Sequence, residues 1–150
     1  MLKFNMYPTT EYDRLLDYFR SNGMVYEKDL PLIIPHFIKA YKLTQGEDFL
    51  IGGIILGKRE GKYILDGIAV DKIFRKYGLG RILVNKVIEE VKKEGGHSLY
   101  LITKVPEFYL KQGFTFLDDF NEVHNIFNCE GCSKYNKDCN EKLMKIDFQS

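Results

Sequence analysis

Gly78-Leu79-Gly80 separates an apolar, β-branched run, Tyr63 to Val70, from Arg81 to Lys93, where Leu83, Val84, Val87, Ile88 and Val91 recur at helical spacing. A strand that passes through a tight turn into an amphipathic helix commits the chain to a crossover. The helix buries its apolar stripe on the sheet, and the next strand lies beside the first and parallel or nearly parallel to it. Gly95-Gly96 supplies the helix stop and Ser98 to Thr103 the returning strand. The rest of the sequence has to be arranged around this one parallel pair.

Upstream, Phe37 to Leu43, Asp48 to Lys58 and Tyr63 to Val70 are β-branched and aromatic runs separated by Thr44-Gln45-Gly46-Glu47 and Arg59-Glu60-Gly61. Connections this short join antiparallel neighbours, so three antiparallel strands are expected. A first strand is expected over Leu2 to Tyr7. Thr10 with Asp13 resembles a capping box, and Tyr12, Leu15, Leu16 and Phe19 share one helical face up to the stop at Asn22-Gly23. Met24 to Pro35, with two prolines, reads as a short second helix or an irregular crossing. After the crossover, a helix is expected over Pro106 to Gln112, ended by Gly113, with strands near Phe114 to Leu117 and Leu143 to Phe148.

With 150 residues, 45% hydrophobic and 29% charged, the chain reads as one domain, 1–150. A chain of this size buries ~70% of the surface its unfolded form exposes and needs no disulfide or metal to hold together. The longest apolar runs, Phe49 to Leu56 and Leu32 to Ile38, fall short of the ~20 residues of a membrane span. Met1-Leu2-Lys3-Phe4-Asn5 lacks the pattern of a secretory leader, so a cytoplasmic location and no membrane partner are expected. Lys and Arg number 22 against 21 Asp and Glu, and a net charge of +1 gives no general attraction to nucleic acid. Any anion site has to be local.

The glycine turn is the place for one. A helix entered through such a turn presents free backbone N–H groups at the positive end of its dipole. Lys72, Arg75, Lys76 and Arg81 concentrate positive charge around it. Read alone, the turn is either a phosphate cradle or a tight turn with a solvated basic rim. Two other nucleotide motifs are set aside. A dinucleotide fingerprint would need a small residue at Leu83 and an acid about 20 residues on, where Leu99-Tyr100-Leu101 stands. Gly52 to Lys58 has phosphate-loop glycine spacing, but Arg59 occupies the magnesium-binding position and Ile54-Ile55-Leu56 reads as strand.

Ile68-Ala69-Val70, Arg75-Lys76-Tyr77-Gly78-Leu79-Gly80, the amphipathic helix and Phe108-Tyr109-Leu110-Lys111-Gln112-Gly113-Phe114 resemble, in that order, the GNAT superfamily of acyl-CoA-dependent N-acyltransferases. The resemblance runs from about Leu2 to Leu117 and implies an α/β, three-layer fold. Its sheet would be mixed, mostly antiparallel and twisted, with helices on both faces. Arg75, Gly78 and Gly80 match the family's Arg/Gln-x-x-Gly-x-Gly/Ala signature, whose amides in family members bind the pyrophosphate of coenzyme A. Acetyl-CoA is thereby expected along Arg75, Lys76, Tyr77, Gly78, Leu79, Gly80 and Arg81, with its pantetheine arm and thioester facing the backbone of Ile68, Ala69 and Val70. Lys72 stands where the family commonly has proline, which leaves the loop less rigid.

The implied activity is transfer of acetyl from acetyl-CoA directly to a primary amine on a small molecule or protein. A non-catalytic acyl-CoA-binding or regulatory module is the alternative. Such a transfer needs an unprotonated amine, a polarised thioester and a proton for the departing thiolate. Tyr109 matches the family's usual general acid; without the motif it reads as a half-buried helix aromatic. Asp66 interrupts an otherwise apolar strand, and alternation puts it on the face of Ile64 and Ile68 unless a bulge intervenes. A carboxylate there is either the general base or part of a polar network that fixes the strand. Homodimers are common in the family, and no segment here predicts the interface.

All three cysteines fall in one late loop. His124, Cys129, Cys132 and Cys139 would give a tetrahedral zinc set, although the second half lacks a Cys-x-x-Cys knuckle. Free or redox-active thiols are the other reading.

Overall fold

The computed structural model of the chain describes residues 3–22, 37–117 and 142–148. The crossing expected over Met24 to Pro35 and the cysteine-bearing loop with His124, Cys129, Cys132 and Cys139 lie outside the described residues. In chain order the elements are β1 (Phe4–Pro8), α1 (Tyr12–Ser21), β2 (Phe37–Gln45), β3 (Phe49–Arg59), β4 (Lys62–Val70), a 3-10 turn (Lys72–Tyr77), α2 (Leu79–Lys93), β5 (Ser98–Thr103), α3 (Pro106–Leu110), β6 (Thr115–Phe116) and β7 (Lys142–Asp147). The strands form one sheet in the order β1-β2-β3-β4-β5-β7-β6. Among the described residues only β4 and β5 pair in parallel, joined by the α2 crossover.

Each sheet face has its own core. Leu79, Leu83, Val84, Val87 and Val91 of α2 pack on Tyr41, Leu43, Ile54, Leu56, Tyr63, Leu65 and Leu99. On the other face, Leu15, Leu16 and Phe19 of α1 pack on Phe37, Ala40 and Ile55. Burying one such side chain contributes about 1.5–3 kcal/mol, so these two stripes hold the helices to the sheet. Gly52 to Lys58 is the interior of β3, as its apolar centre suggests. A Cβ on Gly53 would lie 2.5 Å from Leu15 Cδ2, so that glycine admits α1 to the sheet surface.

Two local expectations are corrected. The capping box of Thr10 and Asp13 does not form: α1 starts one residue after Glu11, which makes no side-chain cap, and the Glu11 N–H instead donates to the hydroxyl of Thr9 at 3.0 Å. The face assignment around Asp66 also changes. Ile55 pairs with Gly67 and Leu56 with Leu65, so Asp66 is the extra residue of a β-bulge. Before the bulge Tyr63 and Leu65 face α2, and after it Ile68 does, while Ile64 joins Tyr100 in a separate cluster. Ile64 and Ile68 therefore lie on opposite faces, and Asp66 cannot share a face with both.

Candidate active site

β4 and β5 pair only at Tyr63 with Leu99 and Ile64 with Tyr100. Beyond those two positions the strands separate, while β4 stays paired to β3 through Val70. Among the described residues, the β4 edge from Gly67 to Val70 on the side of β5 has no strand partner. The Asp71 N–H bonds back to Ile51, so Ala69 spends its main-chain groups on Gly53 of β3, and by alternation it is Ile68 and the Val70 N–H that face the cleft opening inside the sheet beside the start of α2; of the expected Ile68, Ala69 and Val70 contact, Ala69 drops out.

The turn that closes this cleft is built from local bonds. The Asp71 N–H donates to the Ile51 carbonyl at 2.7 Å, and the Asp71 carboxylate accepts from the Ile73 N–H at 3.0 Å. Arg75 reaches back so that its Nε donates to the Val70 carbonyl at 2.9 Å. The sequence assigned Arg75 only to the anion; the geometry gives it a second task, tying the turn to the end of β4. Tyr77 packs its ring against Phe4 at 5.3 Å and Phe74 at 6.4 Å, which fastens the turn to β1 as well.

Gly78 then takes φ 71° and ψ 21°, the left-handed region where a Cβ is disfavoured. Its carbonyl accepts the first α2 bond, from the Ile82 N–H at 3.4 Å, and no side chain caps the helix. The N–H groups of Leu79, Gly80 and Arg81 consequently have no intrahelical acceptor, and no acidic residue lies in the first turn. Lys72, Arg75, Lys76 and Arg81 are all exposed around this end. Unsatisfied donors, the helix dipole and exposed cations together suit a phosphate or diphosphate.

Tyr109 belongs to the same face. It lies in α3, is 4% exposed and packs in the core that includes Leu79, with its ring 4.9 Å from Phe108 and 5.4 Å from Phe114. Burial pushes its hydroxyl well above the usual tyrosine range. A phenol in this state holds its proton through neutral pH.

Asp66 is placed differently. Its carboxylate lies 2.7 Å from Arg59 Nη2, with only 9% of the Asp66 side chain and 15% of the Arg59 side chain exposed. Lys58 covers the Tyr63 ring on the α2 side, so its neighbour Arg59 alternates to the far side and draws Asp66 with it. Tyr109 and Asp66 thus flank the sheet from opposite faces. Arg59 was absent from the candidate residues. The signal for it was the tight Glu60-Gly61 connection, which sets Arg59 opposite Lys62 and within side-chain reach of a carboxylate four residues further along β4. Among the described residues no three His, Cys, Asp or Glu side chains form a metal-binding group. An open cleft of about 450 Å³ between Pro8, Thr10, Tyr12 and Lys39 lies at the other end of the sheet from the turn.

The family model for GNAT acetyltransferases matches residues 4–114. No curated protein sequence matches the chain. Among solved structures, a GNAT-family acetyltransferase from Staphylococcus aureus superimposes with a TM-score of 0.71 at 17% identity, covering 98% of this chain and 100% of that one. A GNAT-family acetyltransferase from Elizabethkingia anophelis, solved with acetyl-CoA bound, gives 0.65 at 20% identity, with 97% and 98% covered. The ribosomal-protein-S18-alanine N-acetyltransferase of Escherichia coli gives 0.68 at 17% identity, with 100% and 96% covered. At these identities the structures share the fold. The family model, which spans most of the chain and includes the splayed strands, the glycine turn and Tyr109, settles the assignment: this protein belongs to the GNAT acetyltransferase family.

Proposed function

We propose that the protein transfers the acetyl group of acetyl-CoA directly to a primary amine. The observation that carries this reading is the uncapped start of α2 behind Gly78, set at the mouth of the cleft between β4 and β5. The diphosphate of the coenzyme would rest on the N–H groups of Leu79 to Arg81, aided by Lys76, and the pantetheine arm would pair with the main chain of Ile68 and the Val70 N–H on the open side of β4. The acetyl-CoA bound in the Elizabethkingia structure and the amine acylation named for the Escherichia coli enzyme support the donor and the acceptor class by likeness of fold.

The reaction follows from the two faces. The amine nitrogen attacks the thioester carbon, the C–S bond breaks, and the thiolate takes the Tyr109 hydroxyl proton. The acceptor approaches from the opposite side, where Asp66 is the candidate to receive the proton lost by the amine. Asp66 is also held by Arg59 at 2.7 Å, and a positioning role in the strand and a proton-accepting role are separated by whether folded Asp66→Asn protein still turns over.

A thermal-unfolding panel with acetyl-CoA, CoA, ATP and NADH tests the donor site without a known acceptor. Ligand at about 100 times its dissociation constant adds about 2.7 kcal/mol, or roughly 5 to 10 °C for a chain of this size. A rise with acetyl-CoA and CoA alone is expected, followed by thiol release on an arrayed panel of amines. No rise with either would overturn the reading in favour of a module that keeps only the fold.

A further inference from the structure

The two glycines of the turn are glycine for different reasons. Gly78 has open space where a Cβ would stand and is required by its positive φ. Gly80 has no unusual backbone angle. Its missing Cβ would point at a side chain, lying 3.0 Å from Phe108 Cζ and 3.4 Å from Phe108 Cε1. Phe108 is thereby seated on the first turn of α2, at the residues whose N–H groups stand free. The same ring meets Tyr109 edge to face, with centroids 4.9 Å apart and planes at 83°. Phe108 is 36% exposed and Tyr109 4%, so the ring that touches the turn is the outer of the two and Tyr109 lies behind it.

We propose that Phe108 is a positioning residue that couples occupation of the glycine turn to the placement of Tyr109, and that Gly80 is small in order to seat it. The inference rests on the acetyl-CoA reading above, and it assigns Gly80 a packing role in place of close approach to the coenzyme. A diphosphate that draws the N–H groups of the first α2 turn toward itself shifts the seat on which Phe108 rests, and the edge-to-face contact passes that shift to Tyr109. The order of residues makes the coupling short: Gly80 touches Phe108, and Phe108 precedes Tyr109 in α3.

The test uses full-length protein carrying tyrosine labelled with carbon-13 at the ζ position, with the Tyr109 signal identified by its loss in Tyr109→Phe. The probe is 3′-phospho-ADP, the nucleotide half of the coenzyme, which fills the turn without reaching Tyr109. In the wild type its binding is expected to move the Tyr109 signal. In Phe108→Ala the probe binds with affinity within about threefold of wild type and the signal stays still. Gly80→Ala moves the signal before any ligand is added. Turnover of Gly80→Ala with an amine from the panel, expressed per mole of folded protein counted by probe-binding stoichiometry, falls about tenfold while KM for acetyl-CoA changes by less than about threefold.

The inference is overturned if the Tyr109 signal responds to the probe equally with and without Phe108. It is also overturned if Gly80→Ala loses the probe and Phe108→Leu in that background does not restore it, since the glycine would then serve the ligand. A wild-type protein that binds neither the probe nor CoA takes the acyltransferase reading down together with this one, whereas a wild type that binds both and shows no coupling removes this inference alone.

Discussion

The two faces of the sheet meet at β4 and are built by different means. On the α2 face the candidate donor site is made of main chain, namely the open side of β4 at Ile68 and Val70, the left-handed Gly78 and the uncapped amides of Leu79 to Arg81, with the Tyr109 hydroxyl as its one side-chain candidate. Side chains there mostly hold the backbone in place, as Arg75 does at the Val70 carbonyl and Phe108 at Gly80. On the other face the candidate groups are side chains alone. Asp66 is thrown out of register by a bulge and gripped by Arg59, beside the apolar pair Ile64 and Tyr100. A surface built of backbone keeps its chemistry through most side-chain changes, whereas one built of side chains changes with each substitution.

Removing Arg59 attacks the side-chain face most directly. Breaking a largely buried ion pair from one end costs about 3–5 kcal/mol, so Arg59→Ala is expected to show that loss in urea unfolding while CoA affinity stays unchanged. The joint change Arg59→Met with Asp66→Leu is expected to recover most of it. A loss below about 1 kcal/mol, the range of exposed pairs, would show that this face is wet and the contrast unfounded. Tyr109→Phe probes the other face: turnover is expected to fall at least about 100-fold with coenzyme affinity intact, and an unchanged rate would remove Tyr109 from the mechanism. Gly78→Val places a β-branched residue at positive φ, at a cost of about 1–3 kcal/mol, and is expected to weaken CoA binding, whereas Gly78→Asn, which tolerates that region, keeps it.

Ionisation offers gentler tests that sort the same two faces. Burial raises Tyr18 on the α1 side to about 12 and raises Tyr41 and Tyr109 on the α2 side above the ordinary tyrosine range. Because the folded values exceed the unfolded value near 10, this stability is complete below about pH 10 and lost as the pH climbs. Urea midpoints are expected to be flat from pH 7 to about 9.5 and to fall above it, and Tyr18→Phe flattens that fall. The smallest effect belongs to the surface cluster in which Lys42 and Arg14 bind Glu11 and Asp48. The hydrogen bond from Lys42 lowers both carboxyls, with Arg14 adding to it at Asp48. Their contribution is present above about pH 4, is lost as the pH falls below it, and is expected to vanish in high salt.

How much of this was legible follows the same division. The hairpins, the crossover helix and the glycine turn are local, and residues such as Leu83, Val87 and Gly78 declare them through period and position. The resemblance carried by Arg75 to Gly80 and by Phe108 to Phe114 is sequential too. What sequence left open was long-range or a matter of one residue. Whether Asp66 shares a face with Ile64 or Ile68 depends on a bulge that one pairing shift creates. Gly80 looked like a second phosphate glycine because its contact, Phe108, lies twenty-eight residues away. The Thr10 and Asp13 capping box fails by a single residue, because α1 starts after Glu11 rather than after Thr10, and spacing alone does not fix that boundary.

The central claim is that free amides at the start of α2 bind the coenzyme by its diphosphate. Equilibrium titration of the wild-type protein with acetyl-CoA and with S-acetylpantetheine, which carries the same thioester without the nucleotide, tests it directly. Two charge-assisted hydrogen bonds of about 1.5–3 kcal/mol each predict that acetyl-CoA binds at least about 100-fold more tightly. Equal affinity for the two would contradict the account, because the turn would then contribute nothing to holding the donor.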